Sequence, residues 1–285
     1  MPEKKAKNAT FIGIIVNIFL FGIKLVAAIM SGSLAVLSDA LNSFTDIVTS
    51  IAIFIAVKVS HKHADQGHPF GHHRAEPIAG LVVAIMAGIL GFEVLKRAVM
   101  NMINKTETAP YVNSIVIIIL VTSIFVKLFV TLYFRSIARS TNSPALTASY
   151  VDYRSDILVS SFVLAGVMYS ARLQFLDTII AALISLYILY SGYTIGMQNI
   201  EYLMGSSPDK ETVREIGEIA LAVEGVKGVN TIHAHYVGNF IHVEIHIELD
   251  KKMDTRKSHH IGKLVQWQIE SMNNISKAFV HIDPI

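Results

Sequence analysis

The chain has 285 residues, of which 52% are hydrophobic and only 16% are charged. Soluble domains usually carry about 25% charged residues, so this composition indicates a membrane protein with a smaller soluble part. The absence of basic runs excludes the usual nucleic-acid-binding patch, and the absence of cysteine excludes disulfides and thiolate metal ligands.

Six segments are long and apolar enough for membrane helices, which need about 20 mostly apolar residues. In chain order they are residues 9–30, 33–58, 76–99, 112–134, 145–171 and 176–199. The first is too long for the apolar part of a signal peptide. Lys and Arg concentrate in the N-terminal tail and in the second and fourth connections. This bias predicts that both termini lie in the cytoplasm. We expect a multi-pass protein of a prokaryotic cytoplasmic membrane.

The composition changes after about Gly205, where the pattern predicts a soluble domain. The stretch "SSPDKETVREIGEIALAVEGV" has helical spacing, "NTIHAHYV" and "FIHVEIHIEL" alternate as strands do, and "SHHIGKLVQWQIESM" and "KAFVHIDPI" add a helix and a strand. The order αββαβ fits a small ferredoxin-like α+β domain. We therefore divide the chain into a six-helix transmembrane domain, residues 1–205, and a cytoplasmic domain, residues 206–285.

The second and fifth predicted spans carry acidic residues in mid-course. The second contains "SDALNSFTDIVTS", which places Asp39, Asn42 and Asp46 on one helical stripe, and the fifth contains "SYVDYRSDILVSS", which places Asp152 and Asp156 four residues apart. If the two helices pack together, Asn42, Asp46, Asp152 and Asp156 converge as an all-oxygen site for a divalent cation. Charge within a bilayer is costly, so a functional role is the default interpretation.

Two other interpretations of these carboxylates stay open at this point. Each Asp could be an interfacial residue or could pair with a cation such as Arg154 or Lys24, or the group could relay protons without a metal. Two separate pairs at a spacing of four residues favour the metal site, because unpaired buried carboxylates are costly. Oxygen ligands suit Mn²⁺ or Mg²⁺, whereas imidazole suits Zn²⁺.

The chain resembles the cation diffusion facilitator family over its whole length. The features that carry the resemblance are six spans, the αββαβ domain, the motifs Asn-x-x-x-Asp and Asp-x-x-x-Asp in the second and fifth spans, and the connection "GHPFGHHRAEPIAGL". Zinc members of the family typically carry His-x-x-x-Asp in one or both motifs. The pattern found here is similar to that of the manganese-exporting branch.

The resemblance implies two further metal sites and a homodimer. In some members the residues corresponding to Asp65, His68 and His72 form a peripheral loop site. The residues corresponding to His246, His260, His281 and Asp283 bind metal at the dimer interface of the cytoplasmic domain, where Asn230 stands in place of a further family histidine. The alternation in "FIHVEIHIEL" itself predicts one apolar sheet face and one face lined by imidazoles and carboxylates.

We therefore expect a secondary transporter that exports a divalent cation, with Mn²⁺ favoured, in exchange for protons. The alternatives are a Zn²⁺, Fe²⁺ or Co²⁺ exporter of the same family, a passive channel, and a metal-sensing membrane scaffold without transport. The sequence contains neither the Gly-x-Gly-Asp motif of an intramembrane aspartyl protease nor a phosphate-binding GxxxxGK[ST] loop. We accordingly expect no enzyme activity, no nucleotide and no organic cofactor, with the bilayer, protons and a second copy of the chain as partners.

Overall fold

The computed structural model describes residues 2–60, 62, 64–104, 111–141, 144–169, 175–238 and 240–285. Within these ranges, the side chains of residues 2–10, 53, 57, 138–141, 144–149, 151 and 152 are not described. The elements in chain order are α1 Pro2–Ser31, α2 Leu34–Ser60, α3 Ala75–Asn104, α4 Ser114–Thr141, α5 Pro144–Tyr169, α6 Leu176–Met204, α7 Lys210–Leu221, β1 Gly228–Val237, β2 Phe240–Leu249, α8 Thr255–Glu270 and β3 Ile275–Pro284.

Helices α1 to α6 form the membrane part of the chain. Within the part of the chain that the structure describes, five of them contain stretches long and apolar enough to cross a bilayer: Phe11–Ser31, Leu34–Ser60, Ala75–Asn104, Ser114–Ile137 and Leu176–Met204. The sixth helix, α5, is not among these five, and it carries Asp152, Arg154 and Asp156. Large apolar side chains point outward along the helices, with Ile29 75% exposed and Phe129 69% exposed. Such an exterior suits lipid and not water.

The chain forms two compact units, each of which contains parts of these helices. The first unit comprises residues 1–52 and 82–195, and the second comprises residues 53–81 and 196–285. Small side chains such as Ala27, Ala35 and Ala181 are fully buried in the core of the first unit, where they let helices approach closely. Asp177, in the first turn of α6, accepts hydrogen bonds from the Leu34 backbone nitrogen (2.8 Å) and the Ser33 hydroxyl (2.5 Å), which fixes the start of α2.

The cytoplasmic part of the second unit is a three-stranded sheet with two helices. The strand order is β1-β2-β3, with β1 antiparallel and β3 parallel to the central β2. Side chains of β2 at every second position, including Val243, Ile245 and Ile247, are fully buried against apolar residues of α7 and α8. Asp209 and Asp254 accept the first free backbone N–H groups of these helices as N-caps. The predicted αββαβ order and the predicted apolar face of β2 are both confirmed.

Candidate metal-binding sites

Three of the four residues predicted for the transport site, Asn42, Asp46 and Asp156, lie close together between α2 and α5. The Asn42 amide nitrogen donates to Asp156 Oδ1 at 3.0 Å, so the amide oxygen is the Asn42 atom left to face a cation. Asp46 lies one turn further along α2 on the same face, with its side chain 32% exposed. The Asp152 side chain lies outside the described residues, although the backbone of α5 places it one turn before Asp156.

A lysine that the sequence reasoning missed completes this group. Lys127 of α4 has a side chain only 1% exposed, and its Nζ donates to Asp156 Oδ2 and lies 3.9 Å from Asp46 Oδ2. The signal that could have found it is a charge in the middle of the fourth span, "IFVKLFV", where a charged side chain is as costly as in the second and fifth spans. The ammonium group is placed between carboxylates contributed by two different helices.

A second buried network lies one turn away from this group. Lys24 of α1 pairs with Asp39 Oδ1 at 2.8 Å and donates to Ser160 at 3.0 Å and to Ser43 at 3.3 Å. The Ser160 hydroxyl also lies 3.1 Å from both carboxylate oxygens of Asp39. Ion pairing with Lys24, one of the interpretations left open by the sequence, therefore holds for Asp39. Asn42 and Asp46 instead lie with Asp156, and the two carboxylates of that group are paired with Lys127.

Asp65, His68 and His72 are brought together in the connection between α2 and α3. One ligand atom from each of the three lies within 4.8 Å of the others, as a shared metal ion requires. The Asp65 carboxylate oxygens lie 3.3 Å from His72 Nε2 and 3.5 Å from His68 Nδ1. The backbone N–H of His68 donates to Asp65 and lowers the pKa of this carboxyl group, which keeps it ionised and able to bind a cation.

The same connection packs on the polar face of the sheet. The Phe70 ring lies 6.0 Å from the His242 ring and 6.4 Å from the Phe279 ring. A cavity of about 770 Å³ lies here, between the connection and the sheet, with Phe70 and His242 among its lining residues. His242, which lies on the sheet face predicted to be lined by imidazoles and carboxylates, is therefore buried.

Burial changes the acid–base behaviour of His242. It lowers the pKa of this imidazole from 6.5 to about 4, so the ring is neutral at physiological pH. Nearby groups that are cationic, or become so when protonated, lower this pKa further because they repel a proton on His242. These groups are His235, His73, Lys277 and Arg74.

A third group of candidate ligands lies on the sheet itself. His246 and His281 are register partners on β2 and β3, with ring centroids 4.5 Å apart. Asp283 lies 3.5 Å from His246 Nδ1 and 3.3 Å from His281 Nε2, and one ligand atom of each lies within 4.8 Å of the others. His260 lies on α8 and is not part of this group among the residues that the structure describes.

Asn230 occupies a special position beside this third group. It lies at an irregularity in the pairing of β1 with β2, between Val229 and Thr231, and its amide nitrogen donates to Asp283 Oδ2 at 3.2 Å. The Asn230 amide thus occupies one oxygen of Asp283 with a hydrogen bond. A histidine at this position could have offered a nitrogen ligand instead. Asn230 is therefore bonded to this group and adds no imidazole to it.

The helical part, its carboxylates and the histidine-containing cytoplasmic domain define a multi-pass membrane protein with candidate sites for divalent cations. Two family models match the chain: the cation efflux transmembrane domain over residues 10–204, and the cation efflux protein cytoplasmic domain over residues 208–285. The chain belongs to the cation diffusion facilitator family, as its motifs predicted.

Full-length relatives agree with this membership. The chain is 33% identical to an uncharacterised transporter of Methanocaldococcus jannaschii, covering 98% of this chain and 99% of that one. It is 28% identical to the manganese efflux system protein MneS of Bacillus subtilis, covering 99% and 97%. It is 27% identical to the cation-efflux pump FieF of Shewanella oneidensis, covering 93% and 90%.

Several predictions from the sequence are confirmed by the family. The protein is an integral, multi-pass membrane protein with a cytoplasmic C-terminal domain. It is a secondary transporter that exports divalent cations, and it is not an enzyme. The metal ion is thus its substrate.

Proposed function

We propose that this protein exports Mn²⁺ in exchange for protons through a site formed by Asn42, Asp46, Asp152 and Asp156. The observation that carries the proposal is the donor set. The described part of the site contains carboxylate and amide groups and no imidazole or thiolate ligand. Such ligands suit a hard cation with a high coordination number, in which water completes the shell, better than they suit tetrahedral Zn²⁺.

The proton exchange follows from the same oxygens. Asp46 and Asp156 can bind either a proton or the cation. When the site faces outward, protons displace the metal ion. When the protonated site faces the cytoplasm again, it releases the protons and can bind the next metal ion. This competition couples the two fluxes without a second binding site. A passive channel would not need it, and its flux would not reverse when the pH gradient is reversed.

The relatives support manganese without deciding the ion. One is named a manganese efflux system protein and another a cation-efflux pump, at similar identities. An exporter of Zn²⁺, Fe²⁺ or Co²⁺ remains the alternative. Family membership favours transport over a metal-sensing scaffold.

The cytoplasmic domain has a separate proposed role as a metal-binding dimerisation module. The family match over residues 208–285 and the group His246, His281 and Asp283 support it. His260 would join this site only if a second copy of the chain, or a different arrangement of α8, brought it close. The boundary at residue 205 falls between the two family matches, which end at 204 and begin at 208.

The ion is tested by competition between Mn²⁺ and Zn²⁺ for uptake into proteoliposomes under an imposed proton gradient. Wild type should prefer Mn²⁺, and Asn42→His combined with Asp152→His should shift the preference toward Zn²⁺, because two oxygen donors become imidazole nitrogens. The matched control is Asn42→Asp, which keeps an all-oxygen site and should keep the preference for Mn²⁺. A wild type that prefers Zn²⁺, or a double variant with unchanged preference, would overturn the proposal.

A further inference from the structure

We propose that Lys127 is a tethered competitor of the transported cation. Its ammonium group occupies the carboxylates of Asp46 and Asp156 when no metal is bound, and it sets the affinity of the site for divalent cations. This inference rests on the proposed transport site, and it adds a residue of α4 to the residues of α2 and α5.

The position of Lys127 is that of a bound cation. Its Nζ donates to Asp156 Oδ2 and lies 3.9 Å from Asp46 Oδ2, and its side chain is 1% exposed. The two carboxylates come from different helices, and the ammonium group lies between them, hydrogen-bonded to Asp156 and within ion-pair distance of Asp46. It also reduces the cost of holding two carboxylates within the membrane while the site is waiting for its substrate.

Lys24 shows what a structural lysine looks like in the same bundle. Its ammonium group has Asp39, Ser43 and Ser160 as partners, and none of these is a predicted ligand of the transported ion. The ion pairs of Lys127 in the described part of the chain are instead with Asp156 and Asp46, both predicted ligands. The two lysines are equally buried, so burial does not distinguish them, but their partners do.

An ammonium group and a divalent cation cannot share these oxygens. Like charges about 4 Å apart repel strongly where water is scarce, so the arriving ion must displace Nζ. A lysine can withdraw because its charge sits at the end of a flexible four-carbon stem. The return of the ammonium group then helps to release the ion on the other side of the membrane.

This exchange also favours divalent over monovalent ions. A monovalent cation brings no more charge to Asp46 and Asp156 than the ammonium group it replaces. A divalent cation brings twice as much, so the two carboxylates attract it more strongly than they attract the ammonium group. Lys127 thus adds charge selectivity to a site whose ligands alone attract any hard cation.

The test replaces Lys127 in the full-length protein and measures Mn²⁺ uptake into proteoliposomes. Lys127→Met removes the charge at similar length, and Lys127→Gln removes it but keeps a hydrogen-bond donor. Each variant should lower KM for Mn²⁺ by about tenfold or more, which is the lower end of the coupling measured between close charge pairs. Each should also lower kcat, because release is no longer assisted. The charge-preserving control, Lys127→Arg, should keep KM close to the wild-type value.

Equilibrium binding separates this inference from the proposed function. Mn²⁺ binding is compared between Lys127→Gln and Lys127→Gln combined with Asp156→Ala, and the difference isolates the transport site from the loop and cytoplasmic groups. The same comparison is made between the wild type and Asp156→Ala. We expect the binding that depends on Asp156 to be tighter in Lys127→Gln than in the wild type. We also expect K⁺ to inhibit Mn²⁺ uptake by Lys127→Gln more strongly than uptake by the wild type. Folded neutral variants with an unchanged or raised KM and unchanged binding would overturn the role of Lys127. A wild type that moves no divalent cation would instead overturn the proposed function, and the binding comparison would still decide on Lys127.

Discussion

The buried pair of Lys24 and Asp39 gives the most direct test of how the bundle tolerates charge. We predict that Lys24→Met destabilises the folded protein, because it leaves the Asp39 carboxylate buried without its cation. The pair is 2.8 Å apart, with side chains 0% and 1% exposed. Breaking a buried ion pair from one side typically costs about 3–5 kcal/mol.

The hydrogen-bonding partner of Asp39 places the expected loss within that range. Ser160 lies 3.1 Å from both carboxylate oxygens and can still donate to Asp39 after the substitution. A hydrogen bond to a charged group contributes about 1.5–3 kcal/mol. The loss in the free energy of unfolding should therefore be near the lower end, about 3 kcal/mol. The double variant Lys24→Met and Asp39→Asn should recover most of it, since no charge is then buried and the Asn amide can still bond to Ser160.

The assay is reversible unfolding of the detergent-solubilised full-length protein, with the four proteins of the double-mutant cycle measured together. A coupling free energy of about 2 kcal/mol or more is expected between the two substitutions, as for residues in one buried network. The reasoning is refuted if Lys24→Met stays within about 0.5 kcal/mol of the wild type, or if the double variant is no more stable than the single one.

The remaining predictions concern the cytoplasmic domain. The pKa of His242 is about 4 in the folded protein and 6.5 in the unfolded chain, so the ring is neutral in the folded protein at pH 7. Its contribution to the stability of the fold is therefore complete above pH 6.5 and is lost as the pH falls toward 4. The free energy of unfolding of the cytoplasmic domain in the full-length protein should therefore fall between pH 7 and pH 5. His242→Leu should remove that fall in urea titrations followed by the fluorescence of Trp267. The isolated segment 206–285 should be a folded dimer, because β2 and the two helices form a core of their own, and a monomer in sedimentation at high micromolar concentration would contradict this. His246→Ala should weaken metal binding to that segment in calorimetry but only reduce transport by the full-length protein.

Much of the fold was predictable because its patterns are local. Spans of apolar residues identified the membrane helices, and alternation in "FIHVEIHIEL" identified β2 and its buried face. The helices extend beyond the predicted spans, for example α2 to Ser60 and α3 to Asn104. Hydropathy detects only the part of a helix that is apolar, whereas the hydrogen-bonded helix continues past it.

The partners of the charged residues were less predictable, because they depend on how helices rotate against one another. The spacing within α2 put Asp39 on the stripe of Asn42 and Asp46, but it could not show that Lys24 of α1 would take it. In the same way, the pairs on α2 and α5 gave no sign that Lys127 of α4 would lie between them. The burial of His242 could not be predicted from the alternation of β2, because Phe70, which lies against it, is far away in the sequence.

The central claim is that Asp46 and Asp156 bind the transported cation. The most direct test is the initial rate of Mn²⁺ uptake into proteoliposomes under an imposed pH gradient, for the wild type, Asp46→Ala and Asp156→Ala. The matched control is Asp250→Ala, which removes an exposed carboxylate paired with Lys227 in the cytoplasmic domain. We predict wild-type uptake that reverses with the gradient, a near-normal rate for the control, and the rate of protein-free vesicles for both site variants when they are folded. Near-normal uptake by either folded site variant would contradict the account.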